Sequence, residues 1–123
     1  MSDNQVKRVE KPWGYELIWA KTKDYVGKIL HINAGGKLSL QYHNIKEETF
    51  YVSKGKMTLV YENEKGVMTE RLMVPGDSHH MLPGKKHRMI GVEDCDVIEV
   101  STNHLDDVVR LSDDYGREGT SKP

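Results

Sequence analysis

The chain has 123 residues, which suits one domain with one core, and its 37% apolar and 30% charged residues fit a small sheet structure with one wet face. The 18 Lys and Arg against 19 Asp and Glu give a formal charge of -1, so no general attraction to nucleic acid or to an anionic membrane is expected. A lone cysteine, Cys95, excludes a disulfide framework and points to a reducing cytoplasm. No run approaches the roughly 20 apolar residues of a spanning helix. The opening MSDNQVKRVEK has no apolar stretch of the kind a secretory leader needs.

Residues 1–9 are polar and are expected to be loose. A Pro-Trp-Gly turn then leads into a first strand over residues 11–20, with Trp13 and Trp19 as core or interface anchors. Residues 24–33, rich in branched side chains, read as a second strand, and Ala34-Gly35-Gly36 as a turn. Residues 38–43 form a third strand and 49–53 a fourth, followed by the tight turn Lys54-Gly55-Lys56. Strands over 57–62 and 68–74 come next, stopped by Pro75-Gly76-Asp77. A short strand over 78–82 precedes Pro83-Gly84, and the last two cover 87–92 and 95–101. Turn signals recur every 8–12 residues or so, which argues for an all-β sandwich or barrel. Beyond it, Leu105, Val108, Val109 and Leu111 have the spacing of one short helical turn, and residues 117–123 are expected to be a flexible tail.

One stretch concentrates metal-binding chemistry. Gln41 and His43 are two apart, so in a strand they project from one face, and Glu48 opens the next strand. His and Glu are good ligands for a divalent ion, and a Gln amide oxygen is acceptable. A fourth ligand must come from elsewhere, and His87 is the best candidate. A mixed nitrogen and oxygen set of this kind suits Zn²⁺, Mn²⁺, Fe²⁺, Co²⁺ or Ni²⁺.

The spacing from Gly35 through Gln41, His43 and Glu48 to Gly55 resembles the first motif of the cupin superfamily, with Gln in place of its usual first His. Pro75-Gly76-Asp77, Pro83-Gly84 and His87 resemble the second. Two departures stand out: Pro83 abuts Gly84 instead of preceding it by two, and Gly91 stands where many cupins have Asn. Lys11-Pro12-Trp13-Gly14, LSLQYH at 38–43, GDS at 76–78, His87-Arg88 and DDVVRLSDDYGR at 106–117 narrow the resemblance to the cupin domain of type II mannose-6-phosphate isomerases.

That resemblance implies a double-stranded β-helix over residues 10–116, a jelly-roll barrel whose strands bring Gln41, His43, Glu48 and His87 around one ion, with Zn²⁺ favoured. By register with the cupin pattern His80 faces the pocket, as one candidate for the proton transfer beside Glu48, if not tightly coordinated, and a metal-bound hydroxide. Lys28 and Ser39 would face a sugar phosphate, and Arg110 would bind phosphate or support the transition state. Tyr115 and Arg117 would dock the tail over the barrel. The activity implied is aldose–ketose isomerisation of mannose 6-phosphate to fructose 6-phosphate through an enediol. Two alternatives stay open: a metal- or sugar-binding module without chemistry, and another cupin enzyme such as an oxygenase, epimerase or lyase. The aromatic first strand, with Trp13, Tyr15 and Trp19, is expected to cover a sheet edge by pairing with a second copy in a homodimer.

Overall fold

The computed structural model describes residues 5–114. Its strands are β1 (Lys7–Lys11), β2 (Gly14–Lys21), β3 (Tyr25–Ile32), β4 (Leu40–Tyr42), β5 (Glu48–Lys54), β6 (Met57–Glu62), β7 (Met68–Met73), β8 (Ser78–Met81), β9 (His87–Gly91), β10 (Cys95–Thr102) and β11 (Val109–Ser112). They build two antiparallel sheets, ordered β1-β2-β3-β10-β5-β8 and β11-β4-β9-β6-β7. From β3 onward consecutive strands alternate between the sheets, except for the β6–β7 hairpin, which makes a double-stranded β-helix. No helix of the described residues is long and apolar enough to cross a membrane.

The two-residue period of the strands decides what lies between the sheets. Leu30 and Ile32, Phe50 and Val52, Met57 and Leu59, and Val97 all point inward and are buried. Each such side chain contributes about 1.5–3 kcal/mol when fully buried. Met57, Met73, Met81 and Met89 fill the gaps between the branched side chains. Cys95 is buried in the same cluster, and its burial pushes the thiol up to about 11, so it is inert at neutral pH.

Three expectations are corrected. Residues 7–9 are not loose: with Glu10 and Lys11 they form β1, which pairs along β2 from Lys7 opposite Ile18 to Lys11 opposite Gly14. The aromatic strand β2 is therefore not a sheet edge, and Trp13 is buried in the core instead of awaiting a partner. The helical turn expected around residues 105–111 is absent, because Val109–Ser112 finds a sheet partner in β4. The branched Val109 suits that pairing better than a helix. The expected tail, with Tyr115 and Arg117, lies outside the described residues.

The two departures from the cupin pattern have local reasons. Gly91 donates its N–H to the Gly36 carbonyl and accepts from Gly35 N–H, at 2.8 and 2.9 Å. A Cβ there would sit 2.5 Å from the Asn33 carbonyl oxygen, so no side chain fits. Gly84, at φ +81°, turns its N–H onto the His43 carbonyl at 2.6 Å. The Pro-Gly turn is thus tied to the loop that carries a candidate ligand.

Candidate metal centre and its cavity

His43 follows β4, Glu48 opens β5 and His87 opens β9. One ligand atom from each lies within 4.8 Å of the others, and all three residues are buried. His43 Nε2 is 2.9 Å and His87 Nε2 is 3.2 Å from the same oxygen, Glu48 Oε2. The other ring nitrogens are committed to backbone carbonyls: His43 Nδ1 to Asp107 at 2.6 Å, and His87 Nδ1 to Lys85 at 3.0 Å. A carbonyl oxygen has no proton to give, so in the neutral rings both protons sit on Nδ1 and both Nε2 atoms carry lone pairs.

Two lone pairs thus converge on a carboxylate oxygen. His43 Nε2 and Glu48 Oε2 are buried without a hydrogen-bond partner despite their closeness. Buried acceptors left in this way cost about 1–3 kcal/mol each. A divalent cation satisfies all three at once, and this donor set suits one. Burial acts to raise the Glu48 carboxyl, but the Lys46 ammonium at 3.2 Å opposes it, and the carboxyl lies well below the usual range. Glu48 is therefore ionised, as a ligand must be.

Gln41 sits directly opposite His87 in the β4–β9 pairing. It is half-buried, and its Oε1 accepts a hydrogen bond from Ser39 Oγ at 2.7 Å. With Glu48, Phe50, His87 and Glu99 it borders a hollow of about 20 Å³, room for one ion or water. Next to it is a second cavity of about 60 Å³, on which Lys28, Ser39, Gln41, Lys46, Glu99 and Arg110 open. Arg110 is opposite Gln41 in the β11–β4 pairing, so the C-terminal strand supplies one wall.

His80 is not at this site. It points outward on β8, is exposed, and lies 2.5 Å from Glu47. Met81 faces the core, and the strand period then turns its alternate neighbour, His79, inward. His79 packs its ring against Tyr61 at 4.5 Å and touches Arg71. Burial and Arg71 both lower its pKa.

Lys46, Glu99 and Glu16 on the cavity, and Asp107 outside it, were not singled out from sequence. Lys46 bridges Glu48 Oε1 and Glu99 Oε2, each at 3.2 Å, and both carboxylates raise its pKa against the cost of burial. Burial above all, with Glu48 adding, raises the Glu99 carboxyl even though Lys46 and Lys28 oppose it. Glu16 holds Lys28 at 3.2 Å. Asp107 lies outside the barrel wall and takes the N–H groups of Asn44, Ile45 and Lys46 on its carboxylate, at 3.0, 2.7 and 2.9 Å. The signal for Lys46, Glu99 and Glu16 was present as parity: each is a charged residue at an inward position of a strand or its end.

A family model described as mannose-6-phosphate isomerase C-terminal matches residues 2–113. The chain belongs to this family. It is 34% identical over 119 residues to a mannose-1-phosphate guanylyltransferase ManC of Salmonella typhimurium, covering 90% of this chain and 23% of that protein. It is 31% identical over 117 residues to the xanthan biosynthesis protein XanB of Xanthomonas campestris, covering 90% and 24%. The chain spans about a quarter of the length of these curated relatives. Solved cupin structures share the fold. One is a sugar phosphate isomerase from a cupin superfamily of Silicibacter pomeroyi, with TM-score 0.64, 20% identity, and 78% and 64% of the two chains covered. Another is KdgF from Halomonas sp., with TM-score 0.69, 22% identity, and coverage of 83% and 88%.

Proposed function

We propose that this cupin domain is a divalent-metal-dependent sugar-phosphate isomerase of the mannose-6-phosphate type. The observation that carries the reading is the aim of two tautomer-fixed imidazoles at the ionised Glu48, beside a cavity lined with Lys28, Lys46 and Arg110. His43, Glu48, His87 and the Gln41 amide oxygen would hold the ion, Zn²⁺ first. When bound, the ion supplies Lewis-acid polarisation of the sugar carbonyl.

The chain's own side chains do the rest. Lys28 and Arg110 face the cavity and neutralise the sugar's phosphate. Ser39 orients the Gln41 amide by donating to its oxygen. His80, which is outside, does not take the proton from C2. Glu99, on the cavity wall and held by Lys46, is the carboxylate placed to take it and return it to C1. Leu105 and Val108 close the cavity from the C-terminal side and help exclude water.

The experiment is metal analysis of the purified chain, followed by a coupled assay for fructose 6-phosphate from mannose 6-phosphate with Zn²⁺, Co²⁺ or Mn²⁺. His43→Ala and His87→Ala are expected to lose metal and turnover together. Arg110→Ala is expected to keep the metal and lose turnover. No product with any of the three ions would sink the isomerase reading. A second reading, a binding module without chemistry, is favoured by one feature: Lys28 and Lys46 are already paired with Glu16, Glu48 and Glu99. Retention of a sugar phosphate without conversion would support it.

A further inference from the structure

β7 ends one sheet and β8 the other, so the barrel has a seam between them. Arg71 on β7 crosses it, donating from Nη1 to the Ser78 carbonyl at 2.9 Å and to His79 Nδ1 at 3.2 Å. An arginine can only donate, so the proton of the neutral His79 ring sits on Nε2. Beside the seam, a groove of about 560 Å³ runs between the β6–β7 turn and the β8–β9 turn. That is within the roughly 300–1,000 Å³ of small-molecule sites. The two turns are tied together: Glu62 N–H donates to the Lys86 carbonyl at 2.8 Å, and Lys86 N–H donates to Glu62 Oε1 at 3.1 Å. None of Gln41, His43, Glu48 or His87 lines the groove, so it is distinct from the metal cluster and its cavity.

The lining selects a class of ligand. The Tyr61 and His79 rings, 4.5 Å apart and tilted by 59°, make an aromatic corner beside the apolar Met81 and Leu82. Among the described residues neither the Tyr61 hydroxyl nor His79 Nε2 has a hydrogen-bond partner, so two donors remain for a ligand. Lys85, whose ammonium donates to the Asn63 carbonyl at 3.3 Å, has further protons to give, and Glu62 keeps Oε2 as an acceptor. The formal charges on the lining cancel, Lys65 and Lys85 against Glu62 and Glu64, while His80 is turned to Glu47. A charged ligand would therefore meet like charge as well as opposite charge. An uncharged sugar fits better: the C–H face of its ring packs on the aromatic corner, and its hydroxyls both donate and accept. We propose that this groove is a second carbohydrate site, taking an uncharged pyranose ring, apart from the cavity beside the metal cluster. The proposal does not depend on the reaction the barrel carries out.

Amide NMR spectra of the full chain, titrated with methyl α-mannoside, methyl β-glucoside, methyl β-galactoside and cellobiose, test it. At least one of these sugars is expected to bind with a Kd of about 1 mM or tighter and to shift the amides of residues 61–65 and 79–85. Chelation of metal with EDTA is expected to leave that Kd unchanged, since no candidate metal ligand lines the groove. Tyr61→Ala is expected to weaken binding about 10-fold through loss of the stacking ring. Tyr61 also packs against the core, so Tyr61→Phe and Lys85→Met, which keep its ring and remove only polar groups, decide the matter if Tyr61→Ala does not fold. Each of the two is expected to weaken binding. No shift in either segment with any of the four sugars at about 50 mM overturns the proposal. Shifts confined to the residues around the metal cluster, or a response to mannose 6-phosphate and to no uncharged sugar, overturn it too. So does a Kd that EDTA abolishes, or one unchanged in a folded Tyr61→Ala or in both Tyr61→Phe and Lys85→Met.

Discussion

Asp107 carries more of the site than any single ligand does. Its main-chain oxygen fixes the His43 tautomer, and its carboxylate takes three consecutive N–H groups of the loop that ends at Lys46. Replacing it by Ala removes the clamp but leaves every ligand in the chain. The expected result is a loss of about 10- to 100-fold in Zn²⁺ or Co²⁺ affinity, the size seen when a group orienting a ligand is removed. Calorimetric titration of the metal-free chain measures it, and unchanged affinity would make Asp107 a surface cap only. Desolvation acts to raise the Asp107 carboxyl, and the three N–H bonds together outweigh it and hold it low. A depressed carboxyl contributes stability above its unfolded value, about 4, and loses that contribution as pH falls through its folded value. Melting of the metal-free chain should therefore weaken on acidification below about pH 4, and less so in Asp107→Asn. In sequence this residue reads as a surface acid or cap, like Asp106, Asp113 and Asp114, because the loop it serves is 61 to 63 positions away. Only the folded chain puts them together.

At the scale of elements, turns were legible and parity was not always so. Glycines at φ near +75° close the hairpins where the sequence marks them, but they are not equivalent. A Cβ on Gly55 would sit 2.1 Å from the Asp94 carbonyl oxygen and 2.8 Å from Cys95, whereas Gly76 has nothing within 4 Å. Gly76→Ala therefore costs only the left-handed backbone, about 1–2 kcal/mol. Gly55→Ala adds a backbone collision and is expected to cost clearly more, above about 3 kcal/mol, with the difference read in urea unfolding. Equal costs would mean that the Gly55 turn relaxes freely. The same distinction explains His79 and His80. The sequence places both on a short strand, and only Met81 decides which faces in, because its apolar side chain is the one the core claims. Lys46, Glu99 and Glu16 escaped notice for the opposite reason. A charged residue at an inward strand position reads as a solvated face until partners on other strands are known, and theirs are 12 and 53 positions away.

For the whole molecule, the site is a joint between the two sheets. His87 and Gln41 belong to the five-stranded sheet and His43 follows directly on it, while Glu48 belongs to the six-stranded one. A bound ion therefore cross-links the sheets at a place where, without it, two lone pairs face a carboxylate. Ion binding and fold stability must be linked, because the ligands converge only in the folded chain. At a free concentration 100 times the dissociation constant, a single ion adds about 2.7 kcal/mol. For a domain of this size that corresponds to a rise in Tm of roughly 10 °C. Chelated protein is expected to melt lower by that amount and to recover on addition of Zn²⁺. His87→Ala is expected to melt at one temperature with or without the ion, since its remaining ligands leave the ion open to water. Glu99→Gln, which keeps all four candidate ligands, should retain the full shift while losing turnover. A Tm that does not respond to Zn²⁺, Co²⁺ or Mn²⁺ in the unaltered chain would show that protons, not a metal, satisfy the Glu48 cluster, and it would remove the basis for metal-assisted chemistry in this barrel.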